Sequence, residues 1–244
     1  MISTLLGATV VGAALGLLGG GGTVLTAPLL HALLGVDTRV AIAMSLPVVA
    51  VAAATGATDA WRRGRLVFGP ASALAGTTAL GGLVGARLAH ALSADTLAVL
   101  LASTLSVAAM VMWRSNRRQA GPPPARRSPV LLATVGLGVG LLTGLVGVGG
   151  GFLIVPALVA FGGYALERAV PASLFVIAVS TSAAAAGYLG RVAVSWPTVA
   201  LIATAAAIGV LAGGRLGRRL PPALLQRVFA LVLAVTAGYM WSVR

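Results

Sequence analysis

Apolar and charged positions divide this chain into long charge-free runs separated by short clusters of arginine. Windows 40–58, 66–86, 96–113, 169–190 and 192–214 carry no Asp, Glu, Lys or Arg. Each is close to the roughly 20 residues that one helix needs to cross a hydrocarbon core. A further segment, 223–241, holds Arg227 near its start, where a guanidinium can snorkel to the interface. Two other runs differ. Residues 1–36 and 128–166 hold no formal charge, and each contains a glycine cluster followed by a proline. Both are nearly twice as long as the ~20 residues of a single span. The pattern predicts an all-α polytopic membrane protein of eight hydrophobic segments, four in each half. The first segment of each half is broken at its glycines. The opening, Met1-Ile2-Ser3-Thr4, has no basic residue, so the first segment reads as mature protein and not as a signal peptide.

The two broken segments are copies of one another. GLLGGGGTVLTAPLL at residues 16–30 returns as GLVGVGGGFLIVPAL at residues 144–158. Adding 128 carries Gly16 to Gly144, Gly19 to Gly147, Gly22 to Gly150 and Pro28 to Pro156. The same offset takes Ser45 to Ser173, Gly81 to Gly209, Gly85 to Gly213, Arg87 to Arg215 and Trp113 to Trp241. Only at 59–70 does the register slip, where Gly64-Arg65 matches Gly190-Arg191. So long a period means two halves of one fold and not a solenoid. The first repeat is read as 1–113 and the second as 130–244. Residues 114–129, RSNRRQAGPPPARRSP, form a solvated linker, because its prolines and arginines cannot make a membrane helix.

Composition agrees with a bilayer setting. Hydrophobic residues are 59% and charged residues 9%, against about 25% charged in a typical soluble domain. The net charge of +13 comes from 17 basic residues, all arginine. They lie between the apolar runs, where topology-setting charges belong, so nucleic acid is not expected as a partner. With no cysteine, two histidines and four acids, neither thiol chemistry nor a multi-ligand metal site is expected, and no cofactor is implied.

A glycine-interrupted apolar segment, matched in both halves of a membrane chain, points to a transporter's binding site. Four consecutive glycines, Gly19, Gly20, Gly21 and Gly22, break a helix, since glycine tolerates backbone angles that other residues avoid. The freed amides need partners inside a bilayer. A bound anion can be one, because helix N-termini present amides and a positive dipole end. The candidate substrate-binding residues are therefore Gly19 to Gly22, Thr23, Pro28 and Ser45 in the first half. In the second they are Gly147, Gly149, Gly150, Gly151, Pro156 and Ser173. Thr26 and Thr143 supply further hydroxyls nearby. Scattered glycines such as Gly12, Gly81 and Gly209 read instead as small residues that let helices pack closely.

These residues carry a resemblance to a known family. A repeated glycine-rich stretch and proline, followed by Ser45-Leu46 in one half and Ser173-Leu174 in the other, resembles the TauE/SafE (sulfite exporter, TSUP) family of membrane permeases. Gly64-Arg65, Gly85-Ala86-Arg87-Leu88, Gly190-Arg191 and Gly213-Gly214-Arg215-Leu216 resemble it too. The resemblance runs essentially end to end. It implies an inner (cytoplasmic) membrane transporter of small anions, such as sulfite, sulfonates or other organic sulfur compounds, working by alternating access. It does not fix the substrate. The two halves are not equivalent, since Val148 faces Gly20 and Phe175 faces Pro47. A non-transporting membrane subunit or assembly factor is the alternative. An intramembrane hydrolase is disfavoured, since no GxSxG motif is present.

Few charges are candidates for work. Asp59 and His31 are the candidates for proton coupling, with sodium as the other coupling ion to consider; for Asp59 an ion pair with Arg62 or Arg63 is the simpler reading. Arg87 and Arg215 are equivalent arginines at helix ends, which either snorkel or attract anions toward a vestibule. The charges also bear on topology. If every segment crosses once, one face holds ten arginines and the other seven. If each long segment enters and returns at its glycine break, the halves are inverted. Thirteen arginines then share the face of the linker, and only Arg39, Arg87, Arg191 and Arg244 lie opposite. The positive-inside rule favours the second arrangement. It puts the linker 114–129 in the cytoplasm and both termini outside. The oligomeric state is not legible.

Overall fold

The computed structural model describes residues 2–20, 22–66, 68–92, 129–146, 151–188 and 192–221, with individual positions in 96–113 and 223–238. Within these, the ordered elements are helical: α1 (Ile2–Leu18), α2 (Thr23–Leu34), α3 (Thr38–Arg62) and α4 (Phe68–Leu88), which runs into a 3-10 turn, Ala89–Ala91. The second half supplies α5 (Pro129–Val146), α6 (Gly151–Ala160), α7 (Leu166–Tyr188) and α8 (Trp196–Gly217). Each charge-free window at 40–58, 66–86, 169–190 and 192–214 holds one helix, and each overlong window holds two. Helix α5 takes in Pro129, the expected linker's last residue, where proline suits the first helical turn. The rest of the linker lies outside the described residues.

Among the described residues, three helical stretches are long and apolar enough to cross a bilayer: Val40–Arg62, Glu167–Tyr188 and Trp196–Gly217. Helix α4 is nearly as long, but glycine and threonine dilute its apolar content. The outward faces carry large apolar side chains; Leu6, Val10, Leu80 and Ile208 are each 60% exposed or more. Such faces suit hydrocarbon and not water.

Helix α2 folds back along α1. A Cβ added at Gly22 would overlap the carbonyl of Val11, and one at Gly7 would touch both Leu29 and Leu33. The late part of α2 therefore lies beside the early part of α1. The reversal needs glycine, because Gly19 sits at φ 68°, a left-handed conformation that costs other L-residues roughly 1–2 kcal/mol. Gly35, also left-handed at φ 64°, closes α2 by donating its amide to the carbonyl of His31.

Helices α3 and α7 are the central pair and touch one another. Leu46, Ala53, Val176 and Ile177 are fully buried along them. Around this pair, α1 crosses α8 and α4 crosses α5 at very short range. A Cβ at Gly12 or Gly16 would overlap the backbone of Ala206 or Val210 in α8. At the other crossing, a Cβ at Gly140 or Gly144 would overlap the backbone of Thr78 or Gly82 in α4. In return, Gly209 and Gly213 meet Thr9 and Ala13, while Gly81 and Gly85 meet Leu137 and Leu141. Every one of these contacts has its counterpart 128 positions away. Small residues allow this backbone approach, so the scattered glycines pack helices as their spacing predicts. Between α4 and α7, the Phe68 and Phe175 rings meet edge to face with centroids 5.4 Å apart.

Candidate functional site

The glycine break of the first half lies in the protein interior, bounded by α7. Ser173, fully buried, donates its hydroxyl proton toward the carbonyl of Gly19 at 2.5 Å, with the carbonyl of Val170 in its own helix at 2.7 Å. This bond joins residues 154 positions apart. It satisfies a carbonyl that the break removes from its helix, as buried backbone groups require. Thr23 likewise donates to Gly20 O at 2.8 Å, and Thr26 to Gly22 O at 3.3 Å. Thr143 donates to Val139 O at 2.7 Å inside α5, and Ser45 to Ile42 O at 2.8 Å inside α3. All five hydroxyls are buried.

The second break meets the first. A Cβ added at Gly151, the first residue of α6, would stand 3.0 Å from Gly20 Cα and 3.0 Å from the Thr23 methyl. Thr23 is the first residue of α2. The N-terminal ends of two short helices therefore converge at one place. At α2 the N-cap is Gly22, which supplies no side-chain acceptor to the first-turn amides. Of the other expected residues, Pro156 is buried inside α6 and Pro28 lies within α2. Gly21, Gly147, Gly149 and Gly150 lie outside the described residues.

A cavity of about 490 Å³ lies next to the chain that enters the first break, and Gly20, Thr23, Gly151 and Ser173 do not line it. Gly16 and Leu17, just before the break, line it, as do Val170, Leu174 and Val210. Its charged lining is Asp59, Arg65, Glu167 and Arg218. Asp59 pairs with Arg63 at 2.9 Å, Arg65 at 3.6 Å and Arg218 at 3.9 Å. The cluster joins the end of α3 to the turn after α8. Local structure places Arg65: Gly64, left-handed at φ 66°, closes α3 with its amide on Trp61 O, and Arg65 N bonds Ala60 O. This paired closure turns the chain back over its own helix end. Burial first, and then the charge of Arg218, lower the Arg65 pKa, while Asp59 opposes them. The Arg65 Nε is buried with no hydrogen-bond partner among the described residues.

Arg65 and Arg218 were not singled out by the sequence pattern, although Gly64-Arg65 is one of its repeated motifs. The signal was present in that glycine, which fixes where the next side chain points. Asp59 forms the ion pair with Arg63 that its spacing suggested. Arg215 lies on an open groove shared with Arg62 and Asp59. Arg87 is exposed in the last turn of α4. His31 is exposed near the far end of α2, eight residues past Thr23, with Nδ1 2.7 Å from Val36 O. No group of three metal-ligating side chains occurs among the described residues.

The sequence was also compared with known proteins. The family model described as "Sulfite exporter TauE/SafE" matches residues 4–240. Two relatives, from Xylella fastidiosa strains 9a5c and Temecula1, are each named "Probable membrane transporter protein". Each is 31% identical to this chain, covering 98% of it and 94% of the relative. No solved structure matches.

Proposed function

This chain belongs to the sulfite exporter TauE/SafE family of multi-pass membrane transporters, and from that premise we propose that it carries a small anion, held where its two broken helices meet. The observation that carries this reading is the convergence of the α2 and α6 N-terminal ends at Thr23, Gly20 and Gly151. Each helix end presents amides and about half a positive charge. Two such ends in a water-poor interior favour an anion and disfavour a cation. Sulfite, sulfonates and small organic anions fit this chemistry. The Thr23 and Ser173 hydroxyls stand beside the site and can donate to a bound anion by rotating from their carbonyls. Arg65 and Arg218 in the cavity lining attract the substrate electrostatically.

The same reading makes the halves inverted repeats, a known plan for secondary transporters. Two observations support it. The α1–α2 hairpin returns the chain to the side it came from. The Asp59–Arg218 pair holds the end of α3 near the turn after α8; if every long segment crossed once, these residues would lie on opposite membrane faces. The charge count then assigns the face with Arg65, Arg218 and the linker 114–129 to the cytoplasm, in the inner membrane. The first repeat is 1–113 and the second 130–244. A proton coupled through Asp59 is compatible with its place at the cavity.

The test is uptake by the purified protein in liposomes, screened over sulfite, thiosulfate, sulfoacetate, simple carboxylates and zwitterionic taurine. At least one anion should be taken up, and Gly151→Leu, inserted at the junction, should abolish that uptake without loss of membrane integration. Uptake of cations or neutral solutes alone, or full uptake by well-integrated Gly151→Leu, overturns the proposal.

A further inference from the structure

The cavity and the smaller buried apolar cluster of this molecule are counterparts at opposite ends of the same two helices. The cavity lies at the end of α3, at Gly56 and Asp59, and the start of α7, at Val170 and Leu174. The cluster lies at the start of α3, with Ala43 and Leu46, and the end of α7, with Ala184 and Tyr188; Ala86 of α4 completes it. About 15 residues separate the two along α3, or roughly 22 Å at 1.5 Å per residue.

The offset of 128 relates their linings residue by residue. Leu174 in the cavity corresponds to Leu46 in the cluster, Pro171 to Ala43, Gly56 to Ala184 and Gly214 to Ala86. Val170 corresponds to Ile42, which packs against the cluster. Tyr188 lies one turn beyond Ala184 at the end of α7, and its counterpart falls in 59–70, where the register slips. One set of positions therefore surrounds open space at one end and is packed shut at the other. The difference lies in the cavity and not in exposure, for Leu174 at 5% and Ala60 at 2% are as buried as Leu46, Ala86 and Ala184 at 0% and Tyr188 at 7%. One substitution follows the same sense: Gly214 leaves room for a Cβ where Ala86 fills it, and the bulky aromatic Tyr188 stands on the closed side. Ser45 and Ser173, each one residue before its leucine, are both buried.

We infer that the Leu46–Ala184–Tyr188 cluster is the closed gate of the permeation path, and that transport opens it while the equivalent cavity walls around Leu174 close. The inference rests on the transporter reading above but not on the identity of the substrate. Packed apolar elements suit this role, since they switch between discrete arrangements and do not deform continuously. Closure at the cavity end would bring Leu174 toward the position that Leu46 holds at the gate. Gly56 already lies close to it, for an added Cβ would stand 2.9 Å from Leu174 Cδ1. Tyr188 is the residue that weights the resting state toward the arrangement seen here, by burying its ring on one side only.

The chain contains no cysteine, so single-cysteine labelling can test this in intact membranes without a known substrate. Ala184→Cys should react slowly with a membrane-impermeant thiol reagent, while Val170→Cys, at a partly exposed position of the cavity lining, reacts readily from the cytoplasmic face. Adding Tyr188→Ala should speed labelling at position 184 from the opposite face by about tenfold or more. Leu174→Trp, which fills the cavity, should do the same while slowing labelling at position 170. Because one variant loosens the gate and the other acts at the far end, a local packing defect cannot produce both results. Protection of position 184 in both variants overturns the inference, as does equally fast labelling of positions 170 and 184 in the otherwise unaltered protein. Failure of anion uptake with these labelling results intact would instead count against the substrate assignment.

Discussion

Ser173 and Gly19 link the two halves directly. Gly19 holds a left-handed backbone, and its missing side chain leaves space for the Ser173 hydroxyl, which an added Cβ would approach to 2.7 Å. Removing that hydroxyl in Ser173→Ala leaves a buried carbonyl short of a partner, which costs about 1–3 kcal/mol. Where the hydroxyl also serves a bound anion, losing a charge-assisted hydrogen bond costs roughly 1.5–3 kcal/mol. Thr23→Val and Ser173→Ala should therefore each weaken anion affinity by about tenfold or more, measured by competition in liposomes. Unchanged affinity in both would leave these residues with a packing role alone. The duplicated Ser-Leu pairs marked Ser45 and Ser173 in the sequence. That Ser173 reaches Gly19 O was not legible, because a contact across 154 positions depends on how α7 crosses the break. Arg218 escaped for a similar reason: it reaches Asp59 from a helix end far along the chain.

At the scale of the helix, glycine does two different things, and position separates them. In the breaks it bends the chain; at the α1–α8 and α4–α5 crossings it removes side chains between touching backbones. Gly12→Leu and Gly144→Leu should thus separate whole helices and lower the yield and thermal stability of the detergent-solubilised protein severely. Gly76 and Gly138 sit in helices with nothing near an added Cβ. There alanine should be neutral or stabilising by roughly 0.5–1 kcal/mol, since mid-helix glycine is entropically costly. Thermal unfolding of the four variants checks the contrast. Stable Gly12→Leu and Gly144→Leu variants would mean that the close crossings contribute little. The charge-free windows predicted the existence of helices well, because hydrocarbon length sets a strong constraint. They did not predict ends such as that of α3. Asp59 closes off the charge-free run, but the helix continues to Arg62 and stops only where Gly64 can turn.

At the scale of the molecule, the crossings pair the first helix of each half with the last described long helix of the other. Contacts at Gly12 and Gly16 recur at Gly140 and Gly144. An exchange of this kind follows naturally from two similar halves set in opposite directions about a central α3–α7 pair. The repeat itself was plain in the sequence. Its relative orientation rested there on the arginine count alone, since periodicity carries no information about which face a segment starts from. In the proposed arrangement, opposed halves bring the two helix N-termini together, so orientation is the claim on which the anion site depends. It is tested most directly by fusing, after Arg244, a reporter that works only outside the cytoplasm, and in parallel one that works only inside. The account predicts activity of the first and silence of the second, with the linker near Ala120 accessible only from the cytoplasmic face. A silent outer reporter with an active inner one would contradict it and return both halves to the same direction.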